Sequence, residues 1–392
     1  MTARSIVCQR LLLLGLVVFA ASATAHDSGQ QSSNSSWEFG AVLDAAQTSK
    51  KLELGYRDKH LGLGHSDLVV RGPLGAAFTA EGIFAAHTVD EKLETHTERL
   101  VLRSRNLPAG LSLAVGRFAS QIGYLNEQHP HADDFSERPL LYRGFLGNHW
   151  FDDGLRLNWT VPTPFYLRLG VETFSGKKLI KETETKPKLG TNTVSLKTGG
   201  DLDQNNSWQF GLSYLNNRRQ AEVHTHSKEE SAHEHLHGAT FSGRRMWISD
   251  LVYKWAPDGN PKNQQIRLIW EQASVGRIHP HAASSLQHSG SALAAVWRFH
   301  PAWELGVKTD WLKVNKPERE TDNDPVEFGA ARLREHAMMI AYKPSHGQTY
   351  RLQFSRQRAD GADAADVFSS PVRHAIMFQV VLGFGAHGAH SY

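Results

Sequence analysis

The sequence predicts an all-β fold: a transmembrane antiparallel β-barrel of about sixteen strands, with fourteen or eighteen fitting the same pattern. Three observations carry this. Apolar and polar residues alternate along many short segments, no apolar run of helix length follows the N-terminal leader, and compact turns alternate with long loops. Alternation with period two puts successive side chains on opposite faces of a strand. About ten such residues cross an outer membrane when the strand is tilted.

The leader comes first. Arg4 and Arg10 precede the apolar run from Leu11 to Ala20, and Ala23-Thr24-Ala25 forms an A-x-A site. Residues 1–25 therefore read as a secretory signal, and 26–35 as a short periplasmic segment. The single cysteine, Cys8, falls inside this signal. That excludes a disulfide framework, a cysteine zinc site and a thiol nucleophile from the mature chain. The 43 basic and 40 acidic side chains nearly balance, so no nucleic-acid footprint is visible.

The barrel is expected over 36–384. Its first five strands fall near 36–45, 61–71, 75–87, 94–105 and 110–119. The next four fall near 152–161, where Leu155, Leu157 and Trp159 alternate with Arg156 and Asn158, then near 164–174, 190–199 and 206–216. In the last of these Trp208, Phe210, Leu212 and Tyr214 alternate with Gln209, Gly211 and Ser213. The weakest is 190–199, with only Val194 and Leu196 as strong apolar residues. Seven more follow near 243–255, 264–274, 290–299, 302–313, 332–343, 348–358 and 371–384. Trp303, Leu305, Val307 and Trp311 mark one of these, and Ile376, Phe378, Val380, Leu382 and Phe384 the last.

Turns such as Gly72-Pro73-Leu74-Gly75, Pro162-Thr163-Pro164 and Pro344-Ser345-His346-Gly347 are compact, made by residues that favour reversal. The connections at 46–60, 120–151, 175–189, 217–242, 275–289, 314–331 and 359–370 are long, and only 88–93 is short. Short periplasmic turns and long extracellular loops are the pattern of outer-membrane barrels, which places the chain in the outer membrane of a Gram-negative bacterium.

If the apolar residues face lipid, their alternate partners face the lumen. The expected pore lining is Arg156, Arg168, Glu172, Arg267, Glu271, Arg298, Glu304, Lys308, Asp310 and Arg351. Loop 120–151 holds Phe135, Leu140, Leu141, Tyr142, Phe145, Leu146, Trp150 and Phe151, too many apolar groups to stand in water. It is expected to fold inward as a constriction, with a lid on neighbouring loops as the other arrangement.

Histidine concentrates on the long-loop side. His129 and His131 lie in 120–151, His224, His226, His233, His235 and His237 in 217–242, and His279, His281 and His288 in 275–289. An extended H-x-H pair presents both imidazoles on one face. With Asp133, Asp134, Glu230 and Glu234 these residues are candidate ligands for zinc or a similar divalent ion, bound weakly at extracellular loops. His60, His65, His87, His96, His336 and His374 stand alone in the sequence and are expected to be structural. No catalytic motif is present: G-x-S-x-G, H-E-x-x-H and a P-loop are all missing, so neither an enzyme nor an organic cofactor is expected.

Gly116-Arg117, Gly123, the run from Asn126 to His131, Phe135, Pro139-Leu140, Gly147, Trp150, Asp153-Gly154 and Pro162-Thr163-Pro164 resemble the signature of a Gram-negative family of zinc-regulated, porin-like outer-membrane proteins or receptors. The ending at 385–392 is similar too. The resemblance implies a link to zinc supply. A plug-bearing TonB-dependent receptor does not fit, since some ten residues separate the signal from the first strand. The expected function is a porin-like channel for small solutes, with the histidine loops collecting metal at its mouth. The alternative is a non-transporting metal-binding or adhesive surface protein. Outer-membrane lipid, small solutes or divalent ions and the barrel-assembly machinery are the expected partners, and a homo-oligomer is compatible with the wall.

Overall fold

The computed structural model describes residues 36–180, 188–219, 238–280, 282–319 and 327–385. Sixteen antiparallel strands close into one barrel. They are β1 (Glu38–Thr48), β2 in two pieces (His60–Leu63 and Ser66–Leu74), β3 (Phe78–Val89), β4 (Lys92–Ser104), β5 (Leu111–Ala119) and β6 (Phe151–Thr160). Next come β7 (Tyr166–Phe174), β8 (Thr191–Asp201), β9 (Asn206–Asn217), β10 (Arg245–Trp255) and β11 (Gln265–Gly276). The wall ends with β12 (Gln287–His300), β13 (Trp303–Arg319), β14 (Glu327–Ser345), β15 (Gln348–Asp360) and β16 (Val372–Gly385). Each strand pairs with its sequence neighbours, and β1 closes the ring against β16, from Gly40 opposite Gly385 to Thr48 opposite Met377.

The outer face is apolar. Leu68, Phe84, Leu100, Val171, Leu251, Val307, Met338 and Ile376 all stand exposed on it, which is costly in water and natural in lipid. Aromatic side chains gather near the short turns, where Trp303 lies 4.8 Å from Tyr342 and Tyr342 lies 6.2 Å from Tyr350 between ring centroids. Such a girdle marks a membrane–water boundary.

Two strands are longer than the alternation suggests. β13 runs to Arg319 and β14 starts at Glu327, so most of the expected 314–331 loop is extended wall. The weak eighth segment forms β8, held by full registers to β7 and β9. Its inward side is polar (Thr191, Thr193, Ser195 and Lys197 are buried), which is why its apolar signal is thin.

Residues 120–150, between β5 and β6, lie inside the barrel. A short helix, α1 (Leu140–Phe145), is buried along its whole length. Ile122, Leu140, Leu141, Tyr142, Phe145, Leu146 and Trp150 form one apolar cluster with inward residues of the wall, including Leu215, Ile248, Val275, Leu312 and Leu333. The wall is shaped to receive them: a Cβ added at Gly290 would lie 2.8 Å from the Leu141 Cβ. The lumen on this side is apolar, so strands such as β10 are covered on both faces and read as near-continuous apolar runs around Met246, Trp247 and Ile248.

Asn126 fastens the two ends of this segment together. Its amide donates to the carbonyls of Ser120 and Trp150, each at 2.8 Å, and its side-chain oxygen accepts from the Trp150 N–H at 2.9 Å. Gly123 has φ of 69°, and a Cβ there would collide with the Tyr142 hydroxyl. Gly123→Ala should therefore cost about 1–3 kcal/mol. An unchanged melting temperature in detergent would count against this packing.

Candidate functional site

Polar groups of residues 120–150 meet the wall in two different ways. Toward the β11–β16 side the contacts are ordinary hydrogen bonds and ion pairs. The Tyr142 hydroxyl donates to Glu271 on β11, and the Tyr124 N–H donates to the same carboxylate at 3.1 Å. Arg143 pairs with Glu335 on β14, with both side chains fully buried. Lys308 on β13 donates to the Glu137 carbonyl at 3.1 Å, and Arg351 on β15 to the Asp133 carbonyl at 2.6 Å. The Ser136 N–H donates to Gln353 at 2.8 Å, and its hydroxyl to Gln379 at 2.9 Å.

Toward β2, β3 and β4 the contacts converge on two buried carboxylates, Asp67 and Glu98. His65 Nε2 lies 2.6 Å from Glu98 and 3.3 Å from Asp67. His129 Nδ1 lies 3.1 Å from Asp67 and 3.5 Å from Glu98, His131 Nδ1 lies 3.4 Å from Asp67, and His149 Nδ1 lies 2.5 Å from Glu98. His87 and His96 stand beside them with ring centroids 5.2 Å apart, and His96 stacks on Phe151.

Local backbone features create this convergence. β2 breaks at Gly64-His65, which frees His65 from the ladder and puts it next to Asp67. On β4, Arg99 pairs with Ile83 and Thr97 with Phe84, so Glu98 is the extra residue of a β-bulge. A bulge re-aims a side chain, and Glu98 is 1% exposed beside its inward neighbour Arg99, which pairs with Glu81. Pro130 begins a single 3₁₀ turn, Pro130–Ala132, that holds the His129 and His131 rings 5.4 Å apart and nearly parallel.

Burial lowers the imidazole of His129, but the Glu98 and Asp67 carboxylates outweigh it and raise its pKa to about 9. For His149 burial wins over Glu98, and the pKa falls to about 3.

One donor atom each from His65, Asp67, Glu98 and His129 lies within 4.8 Å of the others. Both oxygens of Asp67, Glu98 Oε1 and the Nδ1 atoms of His129 and His149 are buried without a well-formed hydrogen bond. Apart from His65 Nε2 with Glu98 Oε2 at 2.6 Å, imidazole nitrogens crowd carboxylate oxygens here without good hydrogen-bond geometry. A bound cation is one of the few explanations for such a set, and the donor set suits zinc or a similar borderline ion.

The expected metal residues are dispersed. His129 and His131 are in the cluster. Asp133 and Asp134 are not; they pair with Arg138 at 2.7 Å and with Arg267, respectively. His288 lies within β12 rather than on a loop, and its Nδ1 accepts the Asn315 N–H at 3.1 Å. His279 packs near Phe328. His224, His226, Glu230, His233, Glu234, His235, His237 and His281 fall outside the described residues, as do the expected signal, the 26–35 segment and the tail beyond Gly385.

His65, His87 and His96, which the sequence leaves isolated, belong to the cluster, and so does His149. The signal in the sequence is His65-x-Asp67, an i, i+2 pair of ligand types, although the break in β2 rather than a shared strand face brings the two together.

The ten charged residues expected along the lumen are on the inner face, largely engaged with one another or with residues 120–150. Arg156 donates to Glu172 at 2.6 Å and to Glu127 at 2.9 Å, and Arg168 to Glu127 at 3.1 Å. Arg298 donates to Glu304 at 2.6 Å, and Lys308 lies 2.8 Å from Asp310.

Fold and lipid belt together define the class: an outer-membrane β-barrel of a Gram-negative bacterium. Solved structures of similar fold include OprB of Pseudomonas putida (TM-score 0.59, 11% identity, 90% of this chain and 94% of that one). The outer membrane channel DcaP of Acinetobacter baumannii (0.55, 11%, 91% and 100%) and the anion-selective porin from Comamonas acidovorans (0.53, 10%, 90% and 99%) are also similar. In sequence, the chain is 27% identical over 354 residues to an uncharacterized protein of Aquifex aeolicus, covering 84% of this chain and 70% of the relative. No family model matches.

Proposed function

We propose that this protein is a porin-like channel for small solutes, linked to the acquisition of zinc or another divalent ion. The observation that carries the metal link is the convergence of His65, Asp67, Glu98, His129, His131 and His149 on the inner wall. Zinc-type ions take imidazole and carboxylate ligands where thiolates are absent. Resemblance to zinc-regulated outer-membrane proteins supports the same reading, with the histidines of 224–237 collecting metal outside. Passage is by diffusion, on a wall of the size that holds an aqueous channel in porins.

The apolar packing under residues 120–150 favours a second reading, a metal-binding surface protein with a closed lumen. Conductance of the purified protein in a planar bilayer decides between them. Channel steps whose size or frequency changes with micromolar zinc are expected. Silence at every zinc concentration removes the channel.

A further inference from the structure

The ligands of the cluster come from two bodies. His65, Asp67 and Glu98 belong to the wall on β2 and β4, whereas His129, His131 and His149 belong to the inward segment. Elsewhere the segment is held by apolar packing and by hydrogen bonds and ion pairs of ordinary geometry. At the β2–β4 arc, its polar contacts end on Asp67 and Glu98; both Asp67 oxygens and Glu98 Oε1 lack a well-formed hydrogen bond, and Glu98 Oε2 is bonded to His65 of the wall at 2.6 Å. Asp67 is 2% exposed and none of the described groups makes a well-formed hydrogen bond to it. Single unsatisfied atoms remain elsewhere, such as Glu271 Oε2 and Glu335 Oε1, but here imidazoles from the segment and the wall converge on the same carboxylates.

The spacing fits a metal. Ligand atoms bonded at 2.0–2.2 Å around a tetrahedral zinc ion lie about 3.2–3.6 Å apart. His129 Nδ1 to Asp67 Oδ2 at 3.1 Å, His65 Nε2 to Asp67 Oδ1 at 3.3 Å and His129 Nδ1 to Glu98 Oε2 at 3.5 Å are close to this; Asp67 thus turns a different oxygen to each histidine, and His65–Glu98 at 2.6 Å needs to open by less than about 1 Å. Two imidazoles and two carboxylates make a neutral site with a divalent cation, which avoids a buried net charge. His131 and His149 flank the position and offer a fifth ligand or a path of exchange.

We propose that His65, Asp67 and Glu98 of the wall and His129 of the inward segment together bind one zinc-class divalent cation, which fastens the near edge of the segment to the β2–β4 arc. This deepens the metal-linked reading and rests on it for the ion's identity. The ion acts as a removable cross-link between wall and segment. Its occupancy sets how firmly that edge of the lumen is sealed.

The test uses the full-length protein refolded in detergent, with zinc as the probe. Calorimetric titration gives affinity, and amide hydrogen exchange reports protection of residues 120–150. Zinc should bind tightly at one equivalent, above any weaker uptake by other histidines, and slow exchange across 120–150 at least tenfold, reversibly with chelator. Glu98→Gln and Asp67→Asn, each checked for barrel folding by heat-modifiable migration, should both lose the tight equivalent and the added protection. Tight binding unchanged in both variants overturns the site. Binding lost in the variants, with wild-type protection unaffected by zinc, overturns the fastening and leaves the site. A silent bilayer with intact zinc binding defeats the channel alone.

Discussion

Replacing residues 124–148 with a short Gly/Ser link is expected to raise single-channel conductance by at least about tenfold, since a sixteen-strand wall without its internal segment encloses an aqueous channel. The graft is geometrically mild. The Ser120 N–H donates to the Trp150 carbonyl at 3.2 Å, so the ends to be joined are already neighbours. What the deletion removes is the apolar body of Leu140, Leu141, Tyr142, Phe145 and Leu146, which occupies the space between β9 and β14. Planar-bilayer recording of both proteins at equal salt reads the effect. Equal conductance would mean that solutes bypass the segment or never cross at all.

The second large effect concerns stability. Arg143 on α1 and Glu335 on β14 form an ion pair with no solvent exposure on either side chain. Lys308 approaches the same carboxylate at 3.3 Å and Asp310 at 2.8 Å, and Gln357 donates to Glu335 at 2.7 Å. Two cations and two anions are thus balanced inside the barrel. Arg143→Met leaves the acidic pair facing Lys308 alone, and breaking one member of such a set costs about 3–5 kcal/mol. The double variant Arg143→Met, Glu335→Met should recover much of the loss, because no unmatched charge remains. Urea unfolding in detergent measures both, and a single-variant loss below about 1 kcal/mol would show that the segment does not depend on this pair.

The wall was largely legible from sequence because its physics is local. A strand between lipid and water must alternate, and Leu155-Arg156-Leu157 or Trp303-Glu304-Leu305 cannot read otherwise. Legibility fell where the lumen ceased to be water. Met246-Trp247-Ile248 faces lipid on one side and Leu215 and its neighbours on the other, so the lumen there was not written as polar. Alternation states which face a residue occupies and nothing about who sits opposite. The cluster was hidden for that reason: His65, Glu98 and His149 are far apart in sequence, and Glu98 reaches the site through a bulge that has no signature in composition. His129 and His131 are visible as an H-x-H pair, but the carboxylates next to them in sequence, Asp133 and Asp134, belong to Arg138 and Arg267.

The seam between β1 and β16 carries a consequence for the order of folding. Ser136 donates to Gln379 on the last strand, and Gln379 in turn donates to Asp44 on the first at 2.8 Å. Arg57 joins Asp44 at 2.7 Å and also reaches the Ser136 carbonyl at 2.9 Å. These groups meet only after the two ends of the chain have zipped together, about as non-local a pairing as the sequence allows. Residues 120–150 are made early in the chain but can reach this seat only late. The apolar body can settle against β9 to β14 beforehand, but the Ser136 end locks only onto a finished ring: a barrel whose seam is open lacks Gln379 and Asp44 as a joint seat for it.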